Sequence, residues 1–163
     1  ESLREKGQFW TPEWVAEFMV AYVLRDMPKK LFDPALGEGV FSHAAKQYAK
    51  KQGFDLALYG CDIDSEMISK AKRSGLKDSD LQNVDILDFV LDFRSRTFPA
   101  IVANPPYIRH HRLSPTQKTG MRDFARQSTG LHIDGRAGLH VYFLIKALLT
   151  LSPGGRLDRK SVV

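Results

Sequence analysis

The residues best suited to chemistry are Asn104-Pro105-Pro106-Tyr107. Two consecutive prolines hold φ at about −65° and remove two backbone donors, and each pushes its predecessor into an extended conformation. The stiff loop follows Pro99-Ala100-Ile101-Val102-Ala103, a short apolar run that reads as a buried parallel strand. Asn104 then emerges at a strand's carboxyl end, where open α/β sheets bind ligands. Such a set suits an exocyclic amino group on a flat ring. The Asn104 side-chain oxygen and the Pro105 carbonyl can each accept one N–H, the nitrogen lone pair then points out of the ring plane, and Tyr107 can stack on the ring. Taken alone, a Pro-Pro-Tyr stretch is more often a turn with a tyrosine packed beneath it.

Other polar groups end neighbouring strands. Lys30 to Asp33 reads as a first strand, followed by Pro34-Ala35-Leu36-Gly37-Glu38-Gly39 and a helix with Val40, Phe41, Ala44, Ala45 and Tyr48 on one face. The two glycines let backbone approach a ligand closely, and the helix N-terminus favours electronegative groups. A plain tight turn is the equal alternative, since the dinucleotide fingerprint is not completed. Leu56 to Asp62 is a second strand, and its acid lies about 25 residues beyond the glycine turn, near the offset at which an acid reaches ribose hydroxyls. Asp62 and Asp64 read otherwise as a metal pair or, with Ser65, as a cap on a helix from Glu66 to Arg73. Asp85 closes a third strand in Val84-Asp85-Ile86-Leu87. Four polar strand ends on one edge, in register with β-α alternation, describe a cleft.

Beyond the prolines, Arg109, Arg112, Lys118, Arg122 and Arg126 face a single acid, Asp123, which suits phosphate contact or an ordinary solvated face. His110 and His111 are adjacent and point apart, and no histidine has metal-ligand spacing.

The elements that must position these groups frame the rest. Thr11-Pro12-Glu13 has the form of a helix start, with Thr11 as N-cap, and the helix runs to about Met27 before Pro28. Its face of Trp14, Val15, Phe18, Met19, Tyr22 and Val23 is expected in the core. A mostly apolar helix is expected from Ala137 to Leu151, then the turn Ser152-Pro153-Gly154-Gly155 and a short fifth strand that charged residues interrupt after Leu157.

Length and composition allow one globular domain: 163 residues, 43% hydrophobic and 26% charged, exclude a disordered chain. One cysteine, Cys61, excludes an intrachain disulfide framework and favours a reducing compartment. No apolar run is long enough for a membrane helix, so a cytoplasmic location is the default expectation. The formal charge of +5 is compatible with a nucleic-acid partner. The start at Glu1 and the abrupt end suggest a fragment.

The order Gly7-Gln8-Phe9-Trp10-Thr11-Pro12, Asp33 to Phe41, Asp62-Ile63-Asp64, Asp85, Asn104 to Tyr107 and Pro153-Gly154-Gly155 resembles the N6-adenine DNA methyltransferases of restriction-modification systems, in the gamma arrangement. The resemblance spans nearly the whole chain. It implies an α/β fold with a doubly wound, mostly parallel Rossmann-like sheet, incomplete at its carboxyl-terminal edge. It also implies S-adenosyl-L-methionine as cofactor and no metal. Residues 1–28 form a cofactor-box segment with its helix, 29–157 the methyltransferase core, and 158–163 a non-native or frayed tail. Trp10, Thr11, Asp33, Ala35, Gly37 and Gly39 hold the methionine moiety, with Asn104 alongside. Asp62 takes the ribose hydroxyls, and Ile63, Asp85 and Ile86 the cofactor adenine. Asn104, Pro105, Pro106 and Tyr107 are the catalytic residues. Tyr107 and Phe143 wall a flipped target adenine, and Arg109, Arg112 and Lys118 touch DNA. Leu36 and Glu38 depart from the usual small residue and serine of the glycine turn.

The partner implied is DNA, with a specificity subunit or a target-recognition domain outside this chain. Flipping a base costs a few kcal/mol and one aromatic stack returns about 1–3 kcal/mol, so this chain is expected to methylate duplex DNA poorly without such help. The rivals are a glutamine-amide methyltransferase acting on protein and a fragment whose cleft is vestigial; a dehydrogenase is disfavoured by the missing third glycine.

Overall fold

The computed structural model describes residues 10–73, 75–77, 81–83, 97–108, 110–134 and 136–161. Among these residues five strands, β1 (Lys30–Asp33), β2 (Ala57–Asp62), β3 (Leu81–Asn83), β4 (Phe98–Ala103) and β5 (Leu151–Arg159), form one sheet in the order β3-β2-β1-β4-β5. Every pairing is parallel. Among the described residues five α-helices accompany them: α1 (Glu13–Val23), α2 (Val40–Gln52), α3 (Ser65–Arg73), α4 (Pro115–Thr129) and α5 (Leu139–Leu149).

Alternation along the central strands sorts two cores. Leu31, Leu58, Ala100 and Val102 pack with α1, α2 and α3 on one side of the sheet. Phe32, Cys61, Phe98 and Ile101 pack with Phe143 and Ala147 of α5 on the other. The sheet is therefore covered on both faces, as parallel sheets require. The strand order reverses between β1 and β4, the place where doubly wound sheets open a crevice at their carboxyl ends.

Two local expectations are revised and one element is added. First, α1 ends at Val23, and Thr11 does not cap it: Pro12 holds the cap position without a side-chain hydrogen bond. Its buried residues are Ala16, Met19, Val20 and Val23, whereas Trp14 is 72%, Phe18 74% and Tyr22 47% exposed. Two apolar rows run side by side on this helix, and the row of small and aliphatic groups is the one that lets α1 lie close to the layer beneath it.

Second, the structure adds α4, whose signals are ordinary. Ser114 and Gln117 form a reciprocal capping box, Pro115 opens the helix, and Gly130 closes it in the left-handed conformation at φ 71°. Third, β5 continues through Asp158 and Arg159, which pair with Val102 and Ala103, beyond the boundary expected at Leu157. Among the described strands β5 lies at the edge of the sheet, where a charged side chain can reach water. The expected turn at Pro153-Gly154-Gly155 is an irregularity inside this strand, because Phe98 pairs with Leu151 and Ala100 already with Arg156. Gly155 suits that spot, since a Cβ there would lie 2.9 Å from the Pro99 carbonyl oxygen.

Candidate functional site

The carboxyl ends of β1, β2 and β4 place Asp33, Asp62 and Asn104 on one edge of the sheet. The backbone from Asp33 onward folds into a cradle held by its own polar groups. Asp33 Oδ1 accepts from the Ala35 amide at 3.1 Å, and the Leu36 amide donates to the Cys61 carbonyl at 3.0 Å. Asp62 Oδ2 accepts from the Gly37 amide at 2.8 Å and its Oδ1 from the Asp64 amide at 2.9 Å. Gly37 at φ 52° and Gly39 at φ 83° occupy the left-handed region, and the space beside Gly37 is open. Leu36, the first departure from the resembled pattern, is 2% exposed and fills the gap over Gly60. Glu38, the second, is exposed and pairs with Lys70 at 2.9 Å on α3.

Electrostatics separate the two acids. Asp33 is 1% exposed, and burial pushes its carboxyl up to about 8, despite the Ala35 amide. Its Oδ2 has no hydrogen-bond partner among the described residues. Burial also raises Asp62 above the usual carboxylate range, against the opposing pull of the Asp64 and Gly37 amides.

Asn104 follows β4 and reaches across to the amino-terminal segment, where its Nδ2 donates to Thr11 Oγ1 at 3.1 Å. Thr11 is 3% exposed, while neighbouring Trp10 is 74% exposed and receives the Lys160 ammonium on its carbonyl at 3.2 Å. Pro105 is buried and Pro106 half-buried. The Tyr107 ring stacks on His140 with centroids 5.7 Å apart and planes at 29°, and its hydroxyl donates to the Lys160 carbonyl. His140 sits beside this loop because the Leu139 amide donates to the Ile108 carbonyl at 3.1 Å. Burial, and then the charge of Arg159, hold the His140 imidazole below its ordinary value. Nothing in the spacing of His140 marks it as a partner of Tyr107.

The remaining site candidates divide. Ile63 is 71% exposed next to Asp62, open to a flat ligand. Phe143 is 3% exposed and packs with Phe32, Phe98 and Ile101 in the core, while a ring stacked on Tyr107 is that of His140. Arg112 is exposed in a short 3-10 turn, His110–Arg112, and Lys118 lies half-buried on α4. Lys118, Arg122 and Arg126 recur every four residues on α4 and so share one face. Partial desolvation and then the charges of Lys118 and Arg122 lower His110. Asp85, Ile86 and Arg109, with the expected strand at 84–87, lie outside the described residues.

The arrangement sets an open glycine turn on the same sheet edge as Asn104, whose Oδ1 is buried, with Tyr107 three residues further along the loop. No helix among the described residues is long and apolar enough to cross a membrane. A family model described as N-6 DNA Methylase matches residues 1–158. The type II methyltransferase M.HincII of Haemophilus influenzae is 25% identical over 151 residues, covering 93% of this chain and 26% of that protein. The release factor glutamine methyltransferase of Clostridium acetobutylicum is 29% identical over 150 residues, covering 88% of this chain and 50% of that protein. The chain thus spans about a quarter of the length of the first and half of the second. In fold it is similar to a type I restriction-modification methyltransferase subunit from Streptococcus thermophilus, with a TM-score of 0.74 at 22% identity, covering 93% of this chain and 34% of that one.

Proposed function

The chain belongs to the N-6 DNA methylase family, and from that premise we propose that it carries the cofactor site and catalytic loop of an enzyme that methylates the N6 amino group of adenine in DNA. The observation that carries this reading is the placement of Asn104 at the strand-order reversal, beside the glycine cradle, with its amide tethered by Thr11. S-adenosyl-L-methionine fits the residues present: the open, left-handed backbone at Gly37, the half-buried Asp62 and the exposed Ile63 offer room and polar groups, and the buried Asp33 Oδ2 adds a polar atom at the base. When bound, it supplies a methyl group already activated by its sulfonium.

The chain's own residues do the rest. Asn104 Oδ1 and the Pro105 carbonyl accept the two N–H bonds of the target amine and aim its lone pair at the methyl carbon. As the target amine gained positive charge in the transfer, both acceptors would bind it more strongly than before. The surplus proton would then pass to water. Tyr107 supplies a stacking face for the base, and the α4 face with Arg112 suits DNA phosphates. A cytoplasmic location follows from a DNA substrate.

Asn104→Ala is expected to lower methyl transfer at least ~100-fold, the scale of losing a group that acts on the transition state, with S-adenosylhomocysteine affinity by calorimetry nearly intact. Turnover within a few fold of the parent would sink the assignment. The similarity to a glutamine methyltransferase supports a second reading, because a side-chain amide also offers an NH2 to the loop. Tritiated methyl transfer to DNA rather than to protein separates the two.

A further inference from the structure

Asn83, the last residue of β3, makes two bonds that sheet pairing does not require. Its Nδ2 donates to the Asp62 carbonyl at 3.0 Å and to the Ile63 carbonyl at 3.1 Å. Asp62 ends β2 directly beside it, paired with Asn83 in the parallel register. Along a strand, successive carbonyls point to opposite sides. One NH2 reaches two in a row only where the chain has turned out of the strand, and an asparagine can meet two acceptors only with its nitrogen. The Asn83 side chain therefore holds the turn after β2 by its backbone. The same turn is fastened by its carboxylate: Asp62 Oδ2 accepts from the Gly37 amide at 2.8 Å and Oδ1 from the Asp64 amide at 2.9 Å. Ile63, which supplies the second bonded carbonyl, carries its side chain outward at 71% exposure.

We propose that Asn83 is a positioning residue of the cofactor site: its amide fixes the peptide units on either side of Ile63, and so sets the direction in which the Ile63 side chain and the Asp62 carboxylate meet the adenosine end of the ligand. This rests on the S-adenosyl-L-methionine reading above. In this role Asn83 touches no part of the ligand and acts only through Asp62 and Ile63. It also ties β3 to the glycine turn after β1, because the residue it clamps is the one whose carboxylate holds Gly37.

Asn83→Ala removes both bonds at an exposed position, so the urea midpoint should stay close to that of the parent. Affinity for S-adenosylhomocysteine, measured by calorimetry, should nevertheless fall about five- to tenfold, the size of one or two lost hydrogen bonds. Action through Ile63 has its own signature. In an Ile63→Ala background the same substitution should cost clearly less, because the side chain that the clamp aims is gone. Losses that combine independently in the double variant overturn the inference, as does an affinity that Asn83→Ala leaves unchanged.

A second readout needs no ligand. In 15N-labelled protein, the backbone amides of Gly37 and Asp64, both donated to the Asp62 carboxylate, should exchange with deuterium several-fold faster in Asn83→Ala than in the parent. The Gly130 amide, bonded at the end of α4, should keep its parent rate. Parent exchange at Gly37 in the variant overturns the inference whatever the calorimetry returns. The expected exchange pattern in a parent that binds no S-adenosylhomocysteine supports the Asn83 clamp and counts against the cofactor reading alone.

Discussion

Asp33 sits at the base of the cradle with one oxygen bonded to the Ala35 amide and the other without a partner among the described residues. Its carboxyl, raised by burial to about 8, is mostly protonated in the folded chain at neutral pH. In the unfolded chain it ionises near ~3.9. Between those two values the folded state binds more protons than the unfolded state, so stability is greatest below about pH 4 on account of this group and declines through about pH 8. In the ligand-free protein the urea midpoint should therefore fall between pH 5 and 8 more steeply than in Asp33→Asn, which cannot ionise. Parallel slopes in parent and variant would show that Asp33 does not govern this window. At this scale the sequence is informative about identity and silent about pairing. Asp33, Asp62 and Asn104 are recognisable because each ends an apolar run, but the bond between Thr11 and Asn104 and the stack of Tyr107 on His140 arise only when distant segments meet.

Among the elements, α1 shows what periodicity leaves open. Trp14, Phe18 and Tyr22 form one row and Val15, Met19 and Val23 the next, and a pattern of apolar positions cannot say which faces inward. Size decides, because Ala16 and Val20 beside Met19 and Val23 permit a close approach to α2, β4 and β5. Trp14→Lys and Phe18→Lys should thus shift stability by no more than about 0.5 kcal/mol. Val20→Ala, at 0% exposure, should cost about 1–3 kcal/mol by opening a void. A large loss in Trp14→Lys, measured by urea denaturation, would return that row to the core. α4 is hidden for a different reason. Its run of cations draws attention to charge, while the Ser114–Gln117 box that starts it stands in plain view. Among the described strands β5 pairs on one flank, with β4, and its pairing carries past Leu157 through Asp158 and Arg159.

For the whole molecule, the doubly wound sheet gathers groups from β1, β2 and β4 along one rim and leaves the cations of α4 as a coherent face. Overall charge of +5 then acts through a definite surface. Replacing Lys118, Arg122 and Arg126 together by Gln should weaken binding to duplex DNA uniformly across sequences and flatten the plot of log affinity against log salt by about 2–3, at about 0.9 for each phosphate no longer neutralised. An unchanged slope in a fluorescence-anisotropy titration would place the DNA elsewhere. The central position of β1 carries a kinetic corollary. Its two flanks are filled by β2 and by β4, and the latter lies far downstream in the chain. During synthesis the cradle can begin to close from its amino-terminal partners, but one side of β1 stays bare until the ribosome has released β4. The emerging polypeptide thus passes through an interval in which one flank of an apolar strand awaits its mate, the kind of exposed edge that favours aggregation.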